Sequence, residues 1–182
     1  MKKCISLNEI LWSVTFLGLA GYFLSKYLMI ASIVSLVIIS FLKNAIWSKG
    51  LPAYSSRTPF GFIEPHIGQI CGTRKRFIEI CIEILNISKE ENRQILANTW
   101  LVSEKNLKKY LTNSVEILKP SLIQRFDFFV GSLIYHKPKN ANCLRFLIDL
   151  SKLSNEEYDN LLKKLLKLQS ISHNNVRKKE LL

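Results

Sequence analysis

The chain has 182 residues, carries a formal net charge of +12 and is 48% hydrophobic. This length leaves room for one modest domain with an accessory segment, and it excludes an arrangement of several large domains. The four cysteines form no Cys-x-x-Cys pair and no zinc-ligand spacing, so no zinc site is predicted and we expect reduced thiols. They are Cys4, Cys71, Cys81 and Cys143.

Residues 1–49 are predicted to be a membrane anchor. Between Ile10 and Leu42 the only charged residue is Lys26. As a helix this run would reach about 50 Å, beyond the ~30 Å hydrocarbon core of a bilayer. A cleaved signal peptide has a shorter apolar part of about 7–15 residues and does not explain the run. The hydropathy therefore predicts insertion into a membrane.

Two arrangements of this anchor are compatible with the pattern. The segment "LSKYL" around Lys26 contains no Gly, Pro or Asn for a tight reversal, which favours one long helix that crosses once. A hairpin that crosses twice is the alternative, because basic residues flank both ends of the run. Small residues could let two helices pack closely, although ordinary membrane-helix glycines are the simpler interpretation. These residues are Gly18, Gly21 and Ser25.

The excess of basic residues predicts where the rest of the chain lies. By the positive-inside rule, the domain after the anchor belongs on the cytoplasmic side of the cell inner membrane, where anionic headgroups attract it. Nucleic acid is a disfavoured partner. The basic stretches "TRKRF" at 73–77 and "VRKKELL" at 176–182 are short, and no helix-turn-helix, zinc pattern or aromatic stacking platform accompanies them.

The remaining residues predict an all-α fold. Residues 50–61, rich in Gly, Pro and Ser, are predicted to be a linker. From 62 to 169 we find helical periodicity and no alternating strand pattern. The segment "SLIQRFDFFVGSLIYH" at 121–136 is the most apolar in this part, which predicts the central helix of a bundle. The polar residues 170–182 are predicted to be a basic, flexible tail.

Two stretches resemble each other, "EILNISKEENRQIL" at 83–96 and "DLSKLSNEEYDNLL" at 149–162. Each contains Ser-x-x-Glu, the capping-box spacing in which a serine and a glutamate satisfy the first backbone groups of a helix. We interpret them as two copies of a helix–turn–helix that pack into one core. Chance similarity is the alternative, because Ser-x-x-Glu is a common helix start. The paired cap residues are Ser88 with Glu91, and Ser154 with Glu157.

No catalytic, cofactor-binding or metal-binding residue is predicted. The sequence lacks a phosphate-binding Gly-x-x-x-x-Gly-Lys and a Gly-x-Ser-x-Gly nucleophile motif. The histidines are scattered without a carboxylate at a fixed helical spacing; they are His66, His136 and His173. We therefore expect a protein that binds, tethers or scaffolds, and no enzyme or cofactor.

The stretch 122–168, "LIQRFDFFVGSLIYHKPKNANCLRFLIDLSKLSNEEYDNLLKKLLKL", resembles the TerB-like domain of DjlA-type membrane-anchored J-proteins. The stretch 78–100, "IEICIEILNISKEENRQILANTW", is similar to that family's first helical junction, and the position of the anchor fits as well. The resemblance implies an N-terminal anchor, a TerB-like helical bundle and a DnaK-type chaperone as partner.

The chain departs from this family in two ways. It contains no J-domain and no His-Pro-Asp, since "HKP" at 136–138 is a different tripeptide. Stimulation of a chaperone ATPase is therefore not expected. The turns between paired helices, "ICGTRKRF" and "IYHKPKNAN", are basic where the family tends to have acidic residues, so no metal site is carried over.

These observations predict a membrane-anchored, cytoplasm-facing helical adaptor module related to DjlA-type co-chaperones. The expected partners are membrane lipid, a second copy through the anchor, and a DnaK-type chaperone or another membrane protein. The alternative function is a non-catalytic structural subunit of a membrane secretion, transport or envelope-assembly complex.

Overall fold

The computed structural model describes residues 4–53, 55–65, 73–99, 102–134 and 144–180. Six α-helices and five β-strands are described in this part of the chain. The helices are α1 (Leu7–Leu24), α2 (Lys26–Leu42), α3 (Arg74–Glu90), α4 (Glu104–Leu111), α5 (Leu122–Ile134) and α6 (Asn155–Glu180). The strands are β1 (Ser55–Arg57), β2 (Phe62–Pro65), β3 (Gln94–Thr99), β4 (Val115–Leu118) and β5 (Leu144–Ile148).

Helices α1 and α2 form an antiparallel hairpin that reverses at Ser25. This residue is extended (φ −166°, ψ 126°) and its amide donates to the Gly21 carbonyl at 2.7 Å. The helices approach closely on the glycine side: a Cβ at Gly21 would lie 2.8 Å from the Met29 backbone nitrogen, and one at Gly18 would lie 3.0 Å from the Ser32 Cβ. The favoured single long helix is therefore wrong, because one extended serine is enough to reverse the chain.

A mixed five-stranded sheet has the order β1-β2-β3-β5-β4. Strands β2 and β3 are parallel and α3 connects them, whereas the other neighbours are antiparallel. The prediction of an all-α fold is wrong. Strand β3 buries Ile95, Leu96 and Ala97 in succession, and such a short apolar run has the same hydrophobic pattern as a buried helix segment.

The two faces of the sheet are covered differently. Helices α3, α4 and α6 cover one face and form the main core with strand residues such as Ile95 and Phe146. On the other face, Phe62, Leu96 and Leu147 form a smaller cluster against Cys4. The residues that precede α1 therefore belong to the core of the domain, and β1 forms part of the sheet within the predicted linker 50–61.

The two similar stretches adopt different structures, so the predicted duplication of a helix–turn–helix is wrong. In the first, α3 continues to Glu90, and Ser88 lies buried in its last turn and donates to the Arg93 carbonyl. Asn92 then takes a left-handed conformation (φ 50°) and the chain enters β3. A left-handed asparagine commonly ends a helix, which is why Ser88 does not start one.

The second stretch contains the helix start that its sequence predicts. The Ser154 amide donates to the Glu157 carboxylate at 2.8 Å, and the Glu157 amide donates to the Ser154 hydroxyl at 3.2 Å. Helix α6 begins there and continues through the predicted tail to Glu180. Glu91, by contrast, ends α3 and pairs with Arg57.

Helix α5 is not the centre of a bundle. Leu122 is 81% exposed and Phe129 is 59% exposed. The apolar stripe of this helix therefore faces outward, and the described contacts of α5 are mainly with α1.

Candidate functional site

The first residues of α1 lie against the sheet and form a polar cluster. The Ser6 hydroxyl accepts from the Glu9 amide at 3.1 Å, and the Glu9 carboxylate accepts from the Ser6 amide at 2.9 Å. This capping box starts α1 inside the domain. Its Ser-x-x-Glu spacing is the same local signal as in the two stretches described above, and it lies directly before the apolar run.

Glu64 of β2 lies next to the first residue of α1. Its carboxylate accepts from the Leu7 amide at 2.7 Å, and the residue is 1% exposed. Burial raises the pKa of Glu64 to about 7 from 4.5, against the opposing effects of the Leu7 hydrogen bond and the positive charge of Lys43. The second carboxylate oxygen is buried and has no hydrogen-bond partner among the described residues.

Arg145 belongs to the same cluster and lies on β5, which is separated from β2 by β3 in the sheet. Its guanidinium donates to the Cys4 carbonyl and lies 3.3 Å from the Glu9 carboxylate. The Ser121 hydroxyl, just before α5, also donates to Glu9, at 2.5 Å. We call Ser6, Glu9, Glu64, Ser121 and Arg145 the hairpin-foot cluster. It joins the hairpin, the sheet and α5.

Aromatic contacts extend this junction along α1. The Trp12 indole donates to Asp127 of α5 at 2.9 Å, and Asn8 donates to the same carboxylate at 3.2 Å. The ring of Phe126 lies edge-on to Trp12, with 4.9 Å between centroids, and 5.5 Å from Phe16. The first ten residues of α1 are therefore fixed to the domain by several bonds and ring contacts.

A cavity of about 350 Å³ lies on the opposite face of the sheet, between β3, β5 and the helices α3, α4 and α6. Its floor consists of buried apolar side chains, among them Ile95, Ala97 and Phe146. Its opening is marked by exposed polar and basic side chains, which are Arg74, Asn106, Tyr110 and Lys164. This volume lies at the lower end of the ~300–1,000 Å³ typical of small-molecule sites.

The sequence-predicted residues lie apart from both sites. Gly18, Gly21 and Ser25 lie in the hairpin, and the caps Ser88 and Ser154 lie at helix ends. Cys81 lines the cavity, whereas Cys71, Cys143, His66 and His136 lie outside the described residues, as does the side chain of His173. In the described ranges, no group of three or more His, Cys, Asp or Glu could hold a metal ion.

Sequence reasoning missed Glu64 and Arg145. Each is a single charge in an apolar strand, in "FIEP" and "LRFLI". A charged residue is almost never fully buried unless it is paired, so these charges were a usable signal once the strands were recognised. The prediction of helix or loop for both segments gives no reason to expect these two charges to be buried.

No protein-family model, no curated protein and no solved structure matches this chain. These comparisons identify no DjlA-type or TerB-like protein. The mixed sheet also differs from the TerB-like helical bundle that the resemblance implies.

Proposed function

We propose that the protein is a membrane-anchored binding module, with a hairpin that crosses the cell inner membrane twice and an α/β domain held against its cytoplasmic surface. The observation that carries the proposal is the apolar outer surface of the hairpin. Its large apolar side chains are exposed along both helices, from Leu17 to Phe23 on α1 and from Tyr27 to Phe41 on α2. Lipid is the environment that suits such a surface.

The dimensions of the hairpin allow two crossings of a locally thinned bilayer. Leu7–Leu24 and Lys26–Trp47 are both long and apolar enough to cross a membrane. The part of α1 that follows Glu9 of the hairpin-foot cluster, Ile10–Leu24, has 15 residues and is about 22 Å long, so the bilayer, with its ~30 Å hydrocarbon core, would thin locally around it. At the tip, Tyr22, Lys26 and Tyr27 are residues that favour the membrane–water interface, where a lysine can extend its amine towards water.

The apolar surface continues from the hairpin onto α5. Leu122, Phe126 and Phe129 are exposed at intervals of four and three residues, which places them on one side of the helix. Phe126 also contacts Trp12 and Phe16 of α1. Because these contacts lie within the apolar run of α1, helix α5 suits a position inside the cytoplasmic leaflet beside the hairpin, with the rest of the domain seated on the membrane.

Charge supports the cytoplasmic orientation. Lys26 is the only basic residue between Lys3 and Lys43, so the tip carries little positive charge compared with the domain side. The positive-inside rule favours keeping the domain in the cytoplasm. Anionic lipids would hold it there at roughly 1 kcal/mol for each basic residue near the surface.

Binding, and not catalysis, suits the two sites. The polar groups of the hairpin-foot cluster are buried and bond mainly to the protein itself; Arg145 is 4% exposed and Glu9 is 12% exposed. The open cavity is lined mainly by apolar side chains, which suit a ligand better than an acid–base reaction.

Native-size analysis of the full chain, extracted from its membranes in mild detergent, tests this function. A binding module is expected to migrate at the size of one or two copies of the chain. Recovery in a fixed stoichiometric assembly would contradict the proposal and favour a structural subunit of a membrane complex.

The position of α5 has its own test in reconstituted bilayers. A spin label at Leu122→Cys or Phe129→Cys, in a cysteine-free background, is expected to collide with dissolved oxygen more than with a water-soluble nickel complex. The control label at Lys119→Cys, just before α5, should favour the nickel complex. Equal accessibility at all three positions would contradict a membrane-seated α5.

A further inference from the structure

We infer that the cavity between the sheet and helices α3, α4 and α6 binds a single-chain amphiphile with an anionic head group, such as a long-chain fatty acid. The inference rests on the proposed function, because it names the ligand of that binding module. It goes further because it places the hydrocarbon chain of the ligand on the cavity floor and its head group at the two basic residues of the opening.

The floor of the cavity selects for an apolar chain. Ile84 of α3, Leu107 of α4 and Leu161 of α6 face Ile95 and Phe146 of the sheet around it, and all five residues are buried. A polar ligand would lose its hydrogen bonds to water there without replacement, which is costly. An unbranched hydrocarbon loses none, and the volume of about 350 Å³ suits one chain better than the two chains of a phospholipid.

The opening selects for a negative charge. Arg74 begins α3 and Lys164 lies on α6, and both are exposed where they border the cavity. Neither forms an ion pair with an acidic side chain in the described part of the molecule. Asn106 and Tyr110 of α4 supply neutral hydrogen-bonding groups to the same lining. A carboxylate or phosphate at this level would complete the charge pairing.

Photocrosslinking of the full chain in bilayer nanodiscs tests the inference. The probe is a long-chain fatty acid with a diazirine in its chain, and the crosslinked peptides are mapped by mass spectrometry. We expect saturable labelling of α3, α4 and α6, in addition to non-saturable labelling of the lipid-facing hairpin. Unlabelled fatty acid should compete with the cavity labelling, and the fatty alcohol of equal length should compete at least about tenfold more weakly.

Two variants locate the ligand. Ala97→Phe places a ring in the cavity and should abolish labelling of α3, α4 and α6 while labelling of the hairpin persists. Lys164→Glu changes an exposed residue, leaves the core intact, and should raise the amount of fatty acid needed for half-saturation by about tenfold. The matched control is Lys163→Glu, which makes the same charge change on an exposed α6 residue that does not line the cavity.

The outcomes separate this inference from the proposed function. Labelling of the hairpin alone would overturn the cavity assignment and leave the membrane anchor intact. Absence of labelling in both regions would overturn both. Equal competition by acid and alcohol, or equal effects of Lys164→Glu and Lys163→Glu, would overturn the assignment of an anionic head group.

Discussion

Glu64 makes the stability of the protein depend on pH. Its pKa is raised by burial to about 7 in the folded chain, against an ordinary value of 4.5. The folded state therefore binds this proton more tightly than the unfolded state does. The contribution of this proton to the free energy of unfolding is full below about pH 4.5 and is lost as the pH rises through 7. It amounts to about 1.4 kcal/mol for each unit of pKa difference between the two states.

Glu64→Gln should remove this dependence, because an amide of the same shape does not titrate. We expect the melting temperature of the wild-type chain in detergent to fall between pH 5 and pH 8, and that of the variant to change less. At pH 8 the variant should be the more stable protein. The control is Glu116→Gln, an exposed carboxylate on β4, which should keep the wild-type slope. A steeper slope in Glu64→Gln would contradict the assignment.

Gly21 is required by the close approach of the two hairpin helices. A Cβ there would lie 2.8 Å from the Met29 nitrogen and 3.0 Å from the Leu28 Cβ. Gly21→Ala should therefore destabilise the chain by about 1–3 kcal/mol, measured by thermal unfolding in detergent.

Gly131 of α5 provides the matched control, because among the described residues a Cβ there would meet no side chain and no other element within 4 Å. Gly131→Ala should stabilise the chain by roughly 0.5–1 kcal/mol through the higher helix propensity of alanine. The same substitution thus has opposite signs at the two glycines. A stabilising effect at Gly21 would mean that the helices are farther apart than described.

At the scale of elements, the two Ser-x-x-Glu stretches make a matched pair. Ser154→Asp should be tolerated, because aspartate also caps a helix start, and Ser154→Ala should cost about 1 kcal/mol in the free energy of unfolding. Ser88→Asp should cost more than Ser154→Ala, because it buries a charge in the last turn of α3. Chemical denaturation of the three variants measures these differences. Equal tolerance of aspartate at both positions would contradict the position of Ser88 inside the last turn of α3.

Helices were easier to predict than strands in this chain. The apolar spacing in α3 and the cap at Ser154 are local signals, and both lie in helices of the structure. The register of β3 against β5 pairs Ile95 with Ile148, far apart in sequence, and no local pattern encodes that pairing. Buried strands without alternation therefore looked like helix segments.

Helix α5 shows that hydrophobic periodicity does not identify what a surface faces. Its apolar stripe predicts the centre of a bundle, yet Leu122 and Phe129 are exposed and lie outside the described core. A stripe that faces lipid and a stripe that faces a core have the same spacing and composition. Only the exposure of Leu122 and Phe129 in the folded chain shows that this stripe is not part of the core.

For the whole molecule, hydropathy located the apolar segment but did not predict that it folds back as a hairpin. The Arg145–Glu9 ion pair and the hydrogen bond from Leu7 to Glu64 hold the start of α1 on the sheet. The extended Ser25 then reverses the chain, so that α2 packs antiparallel to α1. The Leu7–Glu64 and Glu9–Arg145 contacts join residues more than 50 positions apart, so they follow from the tertiary structure and not from local sequence. The hairpin and the domain are consequently one structural unit.

The topology of the hairpin tests the central claim most directly. Single cysteines at Lys2, Lys26 and Lys49, each in a cysteine-free chain, can be labelled with a membrane-impermeant maleimide in sealed vesicles of known orientation. Lys2→Cys and Lys49→Cys should react from the cytoplasmic side, and Lys26→Cys should react from the opposite side. Reaction of Lys2→Cys and Lys49→Cys from opposite sides would mean a single crossing, and reaction of all three from one side would mean that the hairpin does not cross the membrane.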